Sequence, residues 1–150
     1  MEISWSERVL GYSLDLTGAE KFKIFLRNIS DKKIITKEIE NTSGDIHFSL
    51  DDKYIFYTQL DDKHRPKKIF RHKIGGTEDD LLIYHEQSDR FSVSLGLTSD
   101  YKYWTIASGD HSSSVEYYFS AKEENPKLKL VQKREEDVKL SESLKEIVAT

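Results

Sequence analysis

Two glycines four residues apart around a serine would mark the strained elbow that carries an α/β-hydrolase nucleophile. Two glycines five apart would mark a phosphate-cradling loop, and two that are two apart the start of a dinucleotide fingerprint. The seven glycines stand at 11, 18, 44, 75, 76, 96 and 109, and none of those spacings occurs. Asp110-His111-Ser112 sets an acid, a base and a hydroxyl side by side. Neighbours on an extended strand point to opposite faces, so this run cannot aim its three side chains at one another, and a polar turn is expected instead. His47, His64, His72, His85 and His111 lack the two-histidine spacing of a zinc helix, and there is no Cys to add a thiolate. A fold could gather His64, His72 and His85, but scattered surface histidines are the expectation. The paired acids Asp51-Asp52, Asp61-Asp62 and Asp79-Asp80 read as turn residues. No catalytic, cofactor-binding or metal-binding residue is assigned, and no cofactor is expected.

The elements that would carry such residues announce themselves by repetition. Ser4-Trp5-Ser6-Glu7-Arg8-Val9-Leu10-Gly11-Tyr12-Ser13 lies on Ser49-Leu50-Asp51-Asp52-Lys53-Tyr54-Ile55-Phe56-Tyr57-Thr58 at an offset of 45 residues. A third copy, Thr98-Ser99-Asp100-Tyr101-Lys102-Tyr103-Trp104-Thr105-Ile106-Ala107, follows at an offset of 49. Each copy is a polar turn, a basic residue, then an apolar and aromatic run. Strand-filled periods of roughly 40–50 residues are those of propeller blades, each a four-stranded sheet. The Ser/Asp turn supplies side-chain bonds to a tight reversal, and the run behind it is expected to be buried on both faces. Further strands are expected at about Phe22–Ile29, Ile34–Ile39, Lys68–Ile74, Asp80–His85, Val115–Phe119 and Leu128–Gln132, between turn-rich segments. A two-sheet sandwich gives no reason for its sequence to repeat. Ser143-Leu144-Lys145-Glu146 has capping-box spacing, so a short C-terminal helix or a frayed tail is expected.

Composition agrees with an all-β fold. The 150 residues would suit one domain with a thin core: 37% are hydrophobic and 33% charged. Eight Tyr, seven Phe and two Trp set the chain apart from disordered compositions and favour strands. A net charge of -4, with lysines interleaved among acids, leaves no basic field for phosphate backbones, so no nucleic-acid partner is expected. The absence of Cys allows a reducing compartment. Met1 to Arg8 lacks the character of a signal peptide and no run approaches a membrane span, so the cytoplasm and no membrane partner are expected.

A longer pattern then becomes specific. Gly11-Tyr12-Ser13, Asp15, Ile39-Glu40-Asn41-Thr42-Ser43-Gly44, Phe56-Tyr57-Thr58, Asp61 and Asp62, His64-Arg65-Pro66, Ile69-Phe70-Arg71-His72 and Gly75 follow one another in order. Asp80-Leu81-Leu82-Ile83-Tyr84, Glu86, Phe91, Ser108, Asp110-His111 and Lys133-Arg134-Glu135-Glu136 continue it. Residues 1–137 thereby resemble the β-propeller domain of the oligopeptidase B (protease II) branch of the prolyl oligopeptidase family, and residues 138–150 are set apart as a divergent tail.

The resemblance implies a fold of about three blades from a seven-bladed propeller, starting inside a blade and stopping before the hydrolase domain. It implies a parent serine peptidase that cuts short, flexible peptides after Arg or Lys, with the propeller restricting entry and no metal or organic cofactor. No family catalytic residue has a counterpart here, so a non-catalytic propeller fragment, inactive alone, is the leading expectation. A split peptidase completed by a separately encoded hydrolase chain is one alternative. Another is a stand-alone protein-binding propeller module using the aromatic runs near Tyr54–Tyr57 and Tyr101–Trp104, although such aromatics are usually blade core. A three-blade arc leaves end blades uncovered, so self-association or dependence on a catalytic-domain partner is expected.

Overall fold

The computed structural model describes residues 1–36 and 38–135, and all its regular structure is strand. Among these residues no helix is long and apolar enough to cross a membrane. Eleven strands form two antiparallel sheets. They are β1 (Glu2–Ile3), β2 (Val9–Leu14), β3 (Phe22–Asn28), β4 (Ile39–Phe48), β5 (Tyr54–Leu60), β6 (Pro66–Lys73), β7 (Leu81–His85), β8 (Ser92–Leu97), β9 (Tyr103–Gly109), β10 (Ser113–Ser120) and β11 (Lys129–Glu135). Met1–His85 make one compact unit, whose seven strands pair in sequence order. The second unit starts at Glu86 and holds β8 to β11 in a meander. The fold is a partial β-propeller, with β1 to β7 hydrogen-bonded in one continuous sheet and β8 to β11 in a second.

The threefold repeat is reproduced atom by atom. The hydroxyls of Ser4, Ser49 and Thr98 accept the main-chain N–H five residues on, from Val9, Tyr54 and Tyr103, at 3.0, 3.0 and 3.1 Å. The reversal is closed each time by a second bond, from the N–H of Glu7, Asp52 or Tyr101 to the carbonyl of Ser4, Ser49 or Thr98. Those three donors share a left-handed backbone, with φ of 60°, 59° and 61°. The basic residue that follows, Arg8, Lys53 or Lys102, accepts at its carbonyl from Ile29, Ile74 or Ala121, tying the third strand's end to the second strand's start. Cross-strand aromatic pairs repeat as well: Tyr12 stacks on Phe25 and Tyr57 on Phe70, with ring centroids 5.3 and 5.6 Å apart.

The first unit's core is Val9, Ile24, Leu26, Ile46, Phe48, Ile55 and Tyr57. In β5, Ile55, Phe56, Tyr57 and Thr58 are all buried, so both faces of this strand are covered as expected. In β9 burial alternates: Trp104, Ile106 and Ser108 are buried and Thr105 and Ala107 are not. Trp104 and Ile106 share the buried face of β9 with Ser108, and Tyr103, Thr105 and Ala107 the other, so this strand follows the half-buried pattern and not the expected burial on both faces.

The expected strand at Ile34–Ile39 is corrected. Ile34 makes an isolated bridge to Arg27, and regular pairing starts only at Ile39 and runs to Phe48. The polar run from Glu40 to Asp45 is bulged strand, with Asn41 at φ 58° and Gly44 at φ 92°. Gly44 is required there, because a Cβ would stand 3.1 Å from the Phe22 ring on a backbone that L residues avoid. The bulge lets β4 pair with β3 through Ile39 and Thr42 and with β5 through Thr42 and Ile46 to Phe48. The other anticipated strands occur with ends shifted by one to three residues, the largest shift being at the end of β11. The C-terminal helix and the 138–150 tail lie outside the described residues.

Candidate functional site

The first unit builds a buried polar chain that no sequence motif marked. The Tyr57 hydroxyl on β5 donates to Asp80, just before β7, and His72 on β6 sets Nδ1 2.7 Å from the other Asp80 oxygen. The opposite ring nitrogen, Nε2, lies 2.8 Å from the hydroxyl of Thr36 in the approach to β4. Tyr57, His72 and Thr36 are 4%, 8% and 9% exposed. A carboxylate against Nδ1 fixes the neutral ring's proton there and leaves Nε2 to accept from Thr36.

Hydroxyl, imidazole and carboxylate stand in the order of an acyl-transfer relay. Here the order serves another end. The nucleophile position is a buried secondary alcohol, and the second carboxylate oxygen is taken by Tyr57. What the four groups hold is the strap from Ile74 to Asp80 that joins β6 to β7. The strap turns at Gly75, with φ 74°, and an N–H from Gly76 to the Lys73 carbonyl closes that turn. It walls one side of an open cleft of about 980 Å³, with Ile35, Ile39, Tyr57 and Phe70 among its apolar lining. Glu38, Glu40, Glu78, Asp79 and Asp80 also line the cleft. Lys23 bridges Glu38 and Glu40 at 3.3 and 3.4 Å, and Lys73 reaches Glu78 at 3.4 Å, so much of this charge is already matched.

The electrostatics follow from these partners. Burial pushes the Asp80 carboxyl up, but hydrogen bonds from His72 and Tyr57 outweigh it and hold the group below its ordinary range. Burial first, then the hydrogen bond to Asp80 and the Asp80 charge, raise the Tyr57 phenol. A carboxylate depressed in the fold contributes stability that is present above its unfolded pKa of about 3.9 and is lost as pH falls through the folded value. A phenol raised in the fold loses stability once pH climbs past its unfolded pKa of about 10. Burial also holds the His47 ring below its ordinary pKa. Urea midpoints should therefore be flat only between about pH 7 and pH 10, decline from about pH 6.5 downward as that ring gains its proton, fall further below about pH 4 and fall again above about pH 10. A Tyr57→Phe variant should keep the acid fall and lose much of the alkaline one.

The other sequence candidates fall into place around this chain. Asp110-His111-Ser112 is the β9–β10 turn, with Asp110 accepting the N–H groups of Ser112 and Ser113 at 2.9 Å and the Arg90 Nε at 2.5 Å. Those main-chain bonds and Arg90 hold its carboxyl far below the ordinary range. Asp61 caps the β5–β6 turn through Lys63 and Arg65, which accounts for the Asp-x-x-His-Arg-Pro spacing. Asp51 caps its own turn through Ser49 and Lys53. Two expectations need correcting. His72 is not a surface histidine, because the strap and Thr36 enclose it. Asp80 is more than a turn residue, since it receives two side chains. His64, His72 and His85 are not gathered, and no group of three metal-ligating side chains exists among the described residues. The aromatic runs are largely core: Phe56 and Tyr57 are buried, as is Trp104, while Tyr101 is half exposed.

Comparison with known proteins places this geometry. The family described as the N-terminal β-propeller domain of prolyl oligopeptidase matches residues 1–146. Oligopeptidase B from Leishmania major superposes with a TM-score of 0.83 at 25% identity, over 91% of this chain and 20% of that one. Oligopeptidase B from Trypanosoma brucei, with covalently bound antipain, gives 0.79 at 25% identity, over 91% and 19%. Protease 2 from Moraxella lacunata is 24% identical over 132 residues, which are 86% of this chain and 19% of that protein. The chain thus spans about a fifth of the length of these relatives.

Proposed function

The chain belongs to the prolyl oligopeptidase N-terminal β-propeller family, and from that premise we propose that it is the non-catalytic propeller part of an oligopeptidase B-like serine peptidase. In this reading it works in the cytoplasm and restricts entry of short peptides to a hydrolase domain that cuts after Arg or Lys. It does no chemistry by itself. The observation that carries the reading is the family match over residues 1–146 together with two oligopeptidase B structures on which 91% of this chain superposes. The buried Thr36–His72–Asp80–Tyr57 chain supports it from the other side. A blade whose connecting strap is pinned by internal bonds keeps a fixed wall, as a size-selecting gate requires.

The test compares two preparations. The purified 150-residue chain should neither hydrolyse an arginine peptide amide nor take up a fluorophosphonate label. The same chain captured from its native cells should bring down a labelled hydrolase with that activity. Hydrolysis by the purified chain, or capture without any labelled hydrolase, would sink the proposal.

A further inference from the structure

Strand β7 lies in mid-sequence and forms an edge of the seven-stranded sheet, where among the described residues it pairs with β6 alone. An open edge is a row of main-chain donors and acceptors that can template another strand, and folds ordinarily guard it with charge or proline. β11, which ends the four-stranded sheet, has that guard. Its sequence Lys-Leu-Val-Gln-Lys-Arg-Glu is charged at both ends and again near the middle. β7 reads Leu-Leu-Ile-Tyr-His, with no acid, lysine, arginine or proline. Leu81 and Leu82, neighbours on a strand and so on opposite faces, are 45% and 46% exposed, which makes both faces of this edge apolar. The ladder to β6 skips Ile83, a bulge that bends the edge without charging it.

What fits this edge follows from its own sequence. Antiparallel pairing of two β7 strands about Leu82 sets Leu82 opposite Leu82, Leu81 opposite Ile83, Asp80 opposite Tyr84 and Asp79 opposite His85. Direct partners in an antiparallel pair share a face, so leucine meets leucine on one face and isoleucine on the other. Asp79 and His85 are both exposed, and each end of the pairing brings a carboxylate to an imidazole instead of to a like charge. The acids next outward would face one another, but both are already engaged. Glu78 holds Lys73 at 3.4 Å, while Glu86 accepts the Ser108 hydroxyl at 2.6 Å and the Ser88 N–H at 3.0 Å.

We propose that two copies of this chain associate through β7, continuing the seven-stranded sheet across a two-fold axis at Leu82. The contact is isologous, so it closes at two chains. A pairing of this length is small beside the interfaces of stable complexes, and the dimer it makes is transient and concentration-dependent. The proposal does not rest on the peptidase reading, because the self-complementary sequence of β7 carries it.

The chain has no Cys, so single thiols report the register without background. Under mild oxidation Leu82→Cys should form a disulfide dimer several-fold faster than Leu81→Cys. The two Leu82 positions meet at the axis, whereas the two Leu81 positions stand diagonally apart, beyond disulfide reach. Leu82→Lys and Leu82→Glu should each abolish the concentration-dependent association of the parent chain in sedimentation velocity, because like charges then face one another. An equal mixture of the two should restore it as a heterodimer, a result that loss of fold in either variant could not give. Leu82 is nearly half exposed, and circular dichroism melts that match the parent's establish that both variants fold. A parent chain that stays monomeric at every concentration, a mixture no more associated than its components, or equal oxidation rates for the two thiol variants would overturn the proposal. Association of Leu82→Lys at the parental strength would overturn it too, and would place the contact on another surface.

Discussion

Ile55→Ala is expected to lower stability by about 4 kcal/mol, while Ile3→Ala changes it by less than about 0.5 kcal/mol. The two residues are chemically identical and both sit in strands of the same sheet. Ile55 is 0% exposed in a strand covered on both faces, paired in register with Phe48 and His72. Cutting it back removes three carbons among Ile24, Leu26, Ile46 and Tyr57, which are held by their own strand pairings and cannot close the space. A residual cavity adds to the lost transfer energy. Ile3 stands on the edge and is more than half exposed, so its truncation removes little from shelter. Urea unfolding followed by circular dichroism, with equal slopes for the three proteins, measures both changes. Equal costs for the two substitutions would mean that β5 is not the centre of the first unit.

The residues named in that comparison also show what the sequence could and could not reveal. Tyr54-Ile55-Phe56-Tyr57 was legible because an apolar run behind a Ser-Asp turn, repeated at 45 residues, has few structural meanings. The turns were legible for the same reason, since Ser4, Ser49 and Thr98 act through local bonds that their neighbours fix. The run from Glu40 to Asp45 was not, because its strand character comes from partners on both sides and its bulges mimic a loop. Ser92–Leu97 hid in the same way, as serines and a glycine made a real strand look like linker. The polar chain was illegible for a different reason. Thr36, Tyr57, His72 and Asp80 are spread over 45 positions of the sequence and meet only when four segments fold together, so no spacing could have announced them. The one hint was that Tyr57, His72 and Asp80 all stand within the pattern shared with the oligopeptidase B branch. A carboxylate in a recurring pattern is as easily a strap anchor as a turn cap.

Asp80→Ala is expected to cost about 3 kcal/mol, His72→Ala about 2, and Thr36→Val about 1. The order follows from what each removal strands. Without Asp80, two buried donors, the His72 Nδ1–H and the Tyr57 hydroxyl, lose their acceptor together. Water can reach part of the site, since the Asp80 side chain is 22% exposed, and this keeps the cost below that of a fully enclosed charge. Without His72, the carboxylate keeps Tyr57 and the Thr36 hydroxyl is left facing a gap. Without the Thr36 hydroxyl, only the neutral Nε2 goes unpaired, and valine preserves the packing. A merely local role for each residue would make the double substitution His72→Ala with Asp80→Ala cost the sum, about 5 kcal/mol. The shared bond predicts less, about 3 to 4 kcal/mol, because once Asp80 is gone removing His72 also removes one stranded donor. Full additivity in urea unfolding would show that the pair is not coupled and that the strap is held by its turn at Gly75 alone. Coupling of the expected sign would identify His72 and Asp80 as the pin that fixes the strap against the cleft.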